Sequence, residues 1–224
     1  MNYTDFQPKQ TSRVREAIEW STTYTYNSLD TTHPRVLLIG DSICNAYQSE
    51  VRRILSSRAN VTFWASSKCV TDPDYFRELD FIAGAYSYSL ICFNNGLHSL
   101  VTDRGEWVAA YRAAVDFLRA KLPDAKLLLL LCTALNDPVR NEIVKRINSD
   151  ILKTAEQKSL ATLDLFTPTD SLDKDKMMGD TFHYKPAAVT MQAELICEAV
   201  DEMLGLTDSG IVQQSTKTGP LGRL

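Results

Sequence analysis

The sequence has no excess of positive charge, no long hydrophobic run and no leader-like start. Its 224 residues carry 24 Lys and Arg against 28 Asp and Glu, for a net charge of −4, without a basic block. This balance argues against a nucleic-acid partner. The longest apolar run, residues 127–132, is too short to cross a bilayer, and the first residues lack a signal-peptide pattern. We therefore predict a cytoplasmic protein that binds neither nucleic acid nor membrane.

Cysteine is too scattered for a disulfide framework or a zinc site. The five cysteines are an odd number and form no C-x-x-C pair, which favours buried free thiols in a reducing compartment. The sequence also lacks the H-E-x-x-H metal motif, the P-loop and the G-x-G-x-x-G dinucleotide motif. We therefore expect neither a metal nor an organic cofactor. The cysteines are Cys44, Cys69, Cys92, Cys132 and Cys197.

Short apolar runs alternate with longer charged stretches of helical spacing. Nearly continuous apolar runs are typical of strands that are buried on both faces of a parallel sheet. Strand followed by helix, repeated along the chain, predicts an α/β fold: a three-layer α/β/α sandwich with a five-stranded parallel sheet. The five runs are residues 36–39, 61–64, 90–93, 127–132 and 160–165.

The chain contains no internal repeat and no linker, which predicts a single domain over residues 1–224. Its core covers about residues 35–204. Residues 1–33 form an N-terminal extension, for which we predict a helix around residues 13–22. Residues 205–224 are rich in Gly, Ser and Thr, and we predict a flexible C-terminal tail there.

Polar residues follow the first predicted strand, where open α/β sheets place their functional sites. Gly40, Asp41 and Ser42 stand there, just before a predicted helix. A serine in such a turn exposes its hydroxyl, and the partial positive charge of the helix N-terminus favours a developing oxyanion. Ser42 is therefore a candidate nucleophile. The alternative is that Asp41 or Ser42 only caps the helix.

A serine nucleophile needs a base, and the base needs an orienting carboxylate. His183 is the candidate base, because Asp180 stands three residues before it and can reach the Nδ1 side of its imidazole in a turn. The chain has three histidines. His33 precedes the first strand, at the wrong end of the sheet, and is interpreted as a solvated loop residue. His98 follows the third predicted strand.

Over residues 35–204 the sequence resembles the GDSL-type SGNH hydrolases. The resemblance rests on the Gly-Asp-Ser turn that contains Ser42 and on the Asp-x-x-His block of Asp180 and His183. It implies a flavodoxin-like fold in which these three residues are the catalytic triad. The family has an asparagine that donates to the oxyanion where this chain has His98, whose imidazole N–H can also donate. The alternative for His98 is a polar loop residue.

A second departure lies after the second predicted strand, where the resemblance aligns Cys69 with a glycine of the family. That glycine contributes only a backbone N–H, which any residue except proline can supply. The resemblance thus implies an oxyanion hole made by the N–H groups of Ser42 and Cys69 and by the His98 side chain. Cys69 as a nucleophile has no base, so a buried thiol is favoured. Asp41, Asn95 and Gly96 are candidate substrate-binding residues.

The predicted function is that of a serine ester hydrolase that works through an acyl-enzyme. The strand-to-helix loops are too short for a lipase lid, which favours a small acyl group such as acetyl on a carbohydrate or a similar polar alcohol. The predicted partner is therefore a small-molecule ester, and the sequence leaves the oligomeric state open. Two alternatives are a thioesterase or lysophospholipase with the same triad and a catalytically inactive binding protein of the same fold.

Overall fold

A computed structural model describes residues 2–206 of the chain. Over these residues the sheet has six strands in the order β1-β3-β2-β4-β5-β6. The strands are β1 (Ser21–Thr25), β2 (Arg35–Gly40), β3 (Asn60–Ser66), β4 (Leu90–Phe93), β5 (Lys126–Leu130) and β6 (Ala161–Leu163). The helices are α1 (Ser42–Leu55), α2 (Tyr75–Ala83), α3 (Arg104–Lys121), α4 (Pro138–Lys158), α5 (Phe166–Asp170), α6 (Lys174–Met177) and α7 (Pro186–Leu204). Short 3₁₀ turns lie at Tyr3–Asp5 and Leu97–Ser99.

Strands β2 to β6 are parallel, and they correspond to the five strands predicted from the sequence. Strands β2, β3 and β4 are buried throughout, which explains their continuous apolar character. The α/β prediction is confirmed. The sheet differs from it by the additional strand β1, which pairs with β3 antiparallel at one edge. Sequence analysis missed β1 because its Ser-Thr-Thr-Tyr-Thr sequence is largely exposed and polar, although threonine and tyrosine favour strands.

The helix predicted around residues 13–22 is wrong. Residues 11–20 have an irregular backbone, and β1 begins at residue 21. Contacts with the loop after β3 fix this segment: the Trp20 N–H donates to Ser67 Oγ at 2.9 Å, and an Arg13 Nη donates to the Ser67 carbonyl at 2.9 Å. These tertiary hydrogen bonds replace the local ones that a helix would have made. The tail predicted at residues 205–224 lies, from residue 207 onwards, outside the described residues.

Helices cover both faces of the sheet, as predicted for a three-layer sandwich. Helix α1 packs against α7 on one face, and α2 packs against α3. The apolar residues of α1 recur every four positions, at Ile43, Tyr47, Val51 and Leu55, and all are buried against the sheet side of the helix. All five cysteines are free and buried, as predicted.

The strand order reverses direction at β2, since β3 lies on one side of it and β4 on the other. A crevice opens at such a point at the carboxyl edge of the sheet, because the loops that leave the two neighbouring strands diverge. The N-terminal extension crosses this edge. Arg13, whose side chain is 2% exposed, forms an ion pair with Asp72 at 3.4 Å in the loop after β3. The extension therefore borders the place where the functional site is expected.

Candidate active site

Ser42 is the first residue of α1, in a tight turn after β2. The turn requires glycine at position 40, because a Cβ there would lie 2.6 Å from the Cβ of Cys44. Asp41 is the N-cap residue, and its Oδ1 accepts the N–H of Ile43 at 2.9 Å. The helix is therefore capped by Asp41, which leaves the Ser42 hydroxyl available. The Ser42 N–H lies in the first turn of α1 and has no acceptor within the helix.

The Ser42 hydroxyl lies at the end of a chain of hydrogen bonds. His183 Nε2 is 2.9 Å from Ser42 Oγ, and His183 Nδ1 is 2.8 Å from Asp180 Oδ2. Asp180 Oδ1 also accepts the backbone N–H groups of Phe182 and His183. The hydrogen bond from the His183 side chain, helped by these two, lowers the pKa of Asp180 to about 2. The carboxylate is thus charged at any ordinary pH, and the imidazole Nδ1 must carry the hydrogen between them.

The turn that carries Asp180 and His183 is closed on itself and fastened to the rest of the molecule. The Gly179 N–H donates to the His183 carbonyl at 2.8 Å, and Met178 forms a β-bridge with Tyr184. The Tyr184 hydroxyl donates to the Ala134 carbonyl in the loop after β5. The imidazole is therefore held by local hydrogen bonds and by one anchor to a neighbouring loop.

His98 reaches the same cavity from the 3₁₀ turn Leu97–Ser99, which follows β4. Its Nδ1 lies 2.6 Å from Glu16 Oε1. Glu16 belongs to the N-terminal extension and is a site residue that sequence analysis missed, because no local motif connects it to residues of the sheet. The cavity has a volume of about 290 Å³. It is lined by Glu16, Ser42, Leu97, His98, Phe182 and His183.

Asn95, Gly96 and Asp41, the residues predicted to bind substrate, do not line the cavity of about 290 Å³. Asn95 is 1% exposed, and its amide joins two loops by accepting the Val70 N–H and donating to a carbonyl. Gly96 is required for packing, because a Cβ there would lie 2.3 Å from Cys132 Sγ. Asp41 is buried as the helix cap. These three residues shape the loops that carry Ser42 and His98.

The structure also departs from the prediction for Cys69. Its backbone N–H donates to Asp72 Oδ2 at 2.8 Å and is therefore not available to an oxyanion. Its side chain is fully buried, and burial raises the pKa of the thiol, which disfavours a thiolate nucleophile. Of the three predicted oxyanion donors, the Ser42 N–H and the His98 side chain remain.

His33 does not belong to the site. It precedes β2, and its Nδ1 lies 2.8 Å from Asp30 Oδ2 in an exposed loop. Within residues 2–206, no three or more His, Cys, Asp or Glu side chains are grouped so that they could hold a metal ion. In the same part of the chain, no helix combines the length and the apolar character that a membrane span needs.

No protein-family model and no functionally curated protein matches the sequence at a significant level. The fold, in contrast, is similar to several solved structures. The acetyl xylan esterase AlAXEase has a TM-score of 0.63 at 16% identity, covering 74% of this chain and 99% of its own. The acetylxylan esterase Axe2 from Geobacillus stearothermophilus has a TM-score of 0.60 at 16% identity, with 77% and 94% covered. A proposed GDSL-like lipase from Parabacteroides merdae has a TM-score of 0.61 at 15% identity, with 77% and 96% covered.

These similarities establish the fold at identities too low to transfer a substrate. The chain has the fold of the SGNH/GDSL hydrolases, as its resemblance to them implied. Its candidate nucleophile lies in the turn after β2, the first parallel strand.

Proposed function

We propose that this protein is a serine ester hydrolase of the GDSL/SGNH type. The observation that carries the proposal is the continuous chain of hydrogen bonds from Ser42 Oγ through His183 to Asp180, at 2.9 and 2.8 Å. This is the arrangement of nucleophile, base and orienting carboxylate that acyl transfer requires. The same three residues were singled out from the sequence.

In the first half-reaction, Ser42 Oγ attacks the ester carbonyl carbon while its proton passes to His183 Nε2. The carbonyl oxygen becomes an oxyanion. Asp180 stabilises the imidazolium that forms, since its carboxylate is already charged and hydrogen-bonded to Nδ1. The intermediate collapses with cleavage of the bond to the alcohol oxygen, which takes the proton from Nε2. The alcohol leaves, and the acyl group stays on Ser42.

In the second half-reaction, water attacks the acyl carbon and gives a proton to His183 Nε2. Collapse of this intermediate breaks the bond to Ser42 Oγ, which recovers the proton, and the carboxylic acid leaves. The oxyanion of both steps is held by the Ser42 N–H at the start of α1 and by an N–H of His98. In each half-reaction His183 Nε2 takes up one proton and then gives it to the departing oxygen, so His183 ends the cycle neutral.

The substrate that we propose is an ester of a small acyl group, acetyl above all, with a carbohydrate or a similar polar alcohol. The cavity of about 290 Å³ is at the small end of the range for ligand sites. Charged and polar side chains, Glu16 and His98 among them, share its lining with Leu97 and Phe182. Two of the similar structures are named as acetylxylan esterases. A short acyl group on a hydroxyl-rich alcohol fits this small and mixed lining.

The test compares the wild-type protein with Ser42→Ala on p-nitrophenyl esters from acetate to octanoate and on acetylated xylo-oligosaccharides. We expect kcat on the acetate ester to fall at least about 10³-fold in Ser42→Ala, as for triad removals in other hydrolases. Ser49→Ala, on the exposed side of the same helix, is the matched control and should keep full activity. Retention of more than a tenth of the activity in Ser42→Ala overturns the serine mechanism. A preference for octanoate overturns the small-acyl assignment alone.

A further inference from the structure

A second cavity, with a volume of about 250 Å³, lies beside the turn that carries His98. Leu97 and His98 of this turn line the cavity above Ser42, whereas Ser99 and Leu100 line the second cavity. The rest of the second cavity is lined by the start of α3, the residues just before it, and α4. Among the described residues, the two cavities have no lining residue in common.

Two residues that line the second cavity have a buried polar atom without a protein partner. Trp107 is 2% exposed, and its Nε1–H finds no acceptor among the described residues. The hydroxyl oxygen of Thr102 is also buried and unpartnered. An indole N–H can only donate, and a hydroxyl can donate or accept. Because an unpaired buried polar group costs free energy, these atoms indicate a ligand that accepts hydrogen bonds.

The charge of the lining is positive. Arg104 is already paired, because its Nε and Nη2 donate to the carboxylate of Asp150 at 2.6 and 2.7 Å. Arg146 donates from Nε to the Glu142 carbonyl at 3.3 Å, and its two Nη groups have no partner among the described residues. No Asp or Glu is among the described residues that line the cavity. One guanidinium therefore remains uncompensated, and its planar fork of N–H groups matches a carboxylate.

The remaining lining is apolar. It consists of Leu100, Ile143, Ile147 and the ring of Trp107, and Ile147 is 6% exposed. An inorganic anion would meet the charge of Arg146 and leave this apolar surface in contact with water. The volume lies below the range of about 300 to 1,000 Å³ that is usual for drug-sized ligands, so the ligand must be small.

We propose that the second cavity binds a small organic carboxylate, with its head group on Arg146 and a short apolar tail against Leu100, Ile143 and Ile147. The inference goes beyond the proposed ester hydrolysis and does not depend on it, since the two cavities have separate linings. The acid that the proposed hydrolysis releases belongs to the same chemical class as this ligand.

The experiment follows the tryptophan indole N–H groups by NMR while sodium hexanoate is added at pH 8. The chain has three tryptophans, and the signal of Trp107 is identified by its loss in Trp107→Phe. This signal should shift until the site is saturated. The signals of Trp20 and of Trp64, whose Nε1–H donates to Ser21 Oγ at 2.8 Å, should not move.

Three further probes separate the contributions of charge and tail. Hexanamide has nearly the same shape as hexanoate without its charge, and it should bind at least about tenfold more weakly, since a hydrogen bond to a charged group is lost. Acetate keeps the charge and lacks the tail, and it should also bind at least about tenfold more weakly. Sodium sulfate should bind more weakly than hexanoate for the same reason.

Variants of Arg146 test the position of the head group. Arg146→Met should weaken hexanoate binding at least about tenfold, and Arg146→Lys should recover part of the loss because it keeps the charge without the fork. Arg77→Met is the matched control, because Arg77 is an exposed arginine on α2, paired with Asp74 at 3.3 Å. Its Kd should stay within twofold of wild type. Ser42→Ala should also bind as the wild type does, since Ser42 lines the other cavity.

Four results would overturn the proposal: a Trp107 signal that no probe shifts, equal affinity for hexanoate and hexanamide, equal affinity for hexanoate and sulfate, or an unchanged Kd in Arg146→Met. A shift of Trp20 with an unmoved Trp107 would locate the carboxylate elsewhere and also overturn it. Activity that survives in Ser42→Ala overturns the proposed hydrolysis and leaves this site unaffected.

Discussion

The two carboxylate–imidazole pairs of the cavity have similar geometry, but one forms within a single turn and the other between distant segments of the chain. Asp180 and His183 are three residues apart in one turn, whereas Glu16 and His98 are 82 residues apart and meet only when the extension docks. Asp180 also accepts two backbone N–H groups of its own turn. Among the described residues Glu16 accepts only from His98. The local pair is organised by its own backbone, and the distant pair depends on the packing of another segment.

Breaking the local pair is expected to have the largest effect. In Asp180→Asn the His183 ring loses the carboxylate that fixes its tautomer, and kcat for p-nitrophenyl acetate should fall about 10³- to 10⁴-fold. The hydrogen bond from His183 holds the pKa of Asp180 at about 2, so Asp180 stays charged over the pH range of the assay and its own titration does not limit activity there.

Asp173→Asn is the matched control for this change. Asp173 caps the short helix α6 in the segment before the Asp180 turn, and it does not line the cavity. Its variant should stay within twofold of wild-type activity. An Asp180→Asn protein that keeps more than a tenth of wild-type kcat would show that the local pair is not part of the machinery.

Removing the imidazole of the distant pair is expected to have an intermediate effect. One oxyanion donor contributes about 10²- to 10³-fold in rate, so His98→Ala should lower kcat by that factor and change KM less. His98→Asn should recover part of the loss, because an amide N–H can replace the imidazole N–H. His33→Ala is the control, and wild-type behaviour of His98→Ala would leave the oxyanion to backbone N–H groups alone.

Removing a contact that holds the N-terminal extension is expected to have the smallest effect on activity. Arg13→Met removes the buried partner of Asp72, whose side chain is 2% exposed. The free energy of unfolding in urea should fall by about 3 kcal/mol, as for the loss of one partner of a buried pair. Because Glu16 is the one residue of the described part of the extension that lines the cavity, kcat should fall no more than tenfold. The local pair should be unaffected, because Asp180 and His183 are held by hydrogen bonds of their own turn.

Arg15→Met provides the matched control for Arg13→Met. The Arg15 side chain is 49% exposed and lies 3.5 Å from Asp74, so its loss should cost less than about 1 kcal/mol. Equal stability of the Arg13 and Arg15 variants would contradict the view that Arg13 fastens the extension. A loss of kcat in Arg13→Met as large as that in Asp180→Asn would contradict the independence of the two pairs.

Much of the fold could be predicted because buried parallel strands appear in the sequence as nearly continuous apolar runs. The five apolar runs correspond to β2 to β6, and each is read from neighbouring residues alone. The edge strand β1 has no such apolar run, since one edge and much of its surface face solvent. The helix expected at residues 13–22 failed for a related reason: partners on the loop after β3 satisfy that backbone.

The site also contains residues that the sequence could predict and contacts that it could not. Ser42, Asp180 and His183 stand in short motifs at strand ends, where the topology of a parallel sheet brings them to one edge. The polar groups of Cys69 and Asn95 instead have partners in the loop after β3: the Cys69 N–H donates to Asp72, and the Asn95 side chain accepts the Val70 N–H. Which loop groups pair with each other depends on distances that no sequence spacing specifies.

The sequence by itself thus determined the parallel sheet, the turn that exposes Ser42 and the local pair of Asp180 and His183. Hydrophobic burial and i to i+3 hydrogen bonds act over a few residues, so their signals are contained in short segments. The tertiary structure alone decided that Glu16 completes the cavity and that Nδ1 of His98 is already engaged. Both contacts depend on the path of the extension across the sheet edge. The buried Arg13 and its partners hold the extension on that path.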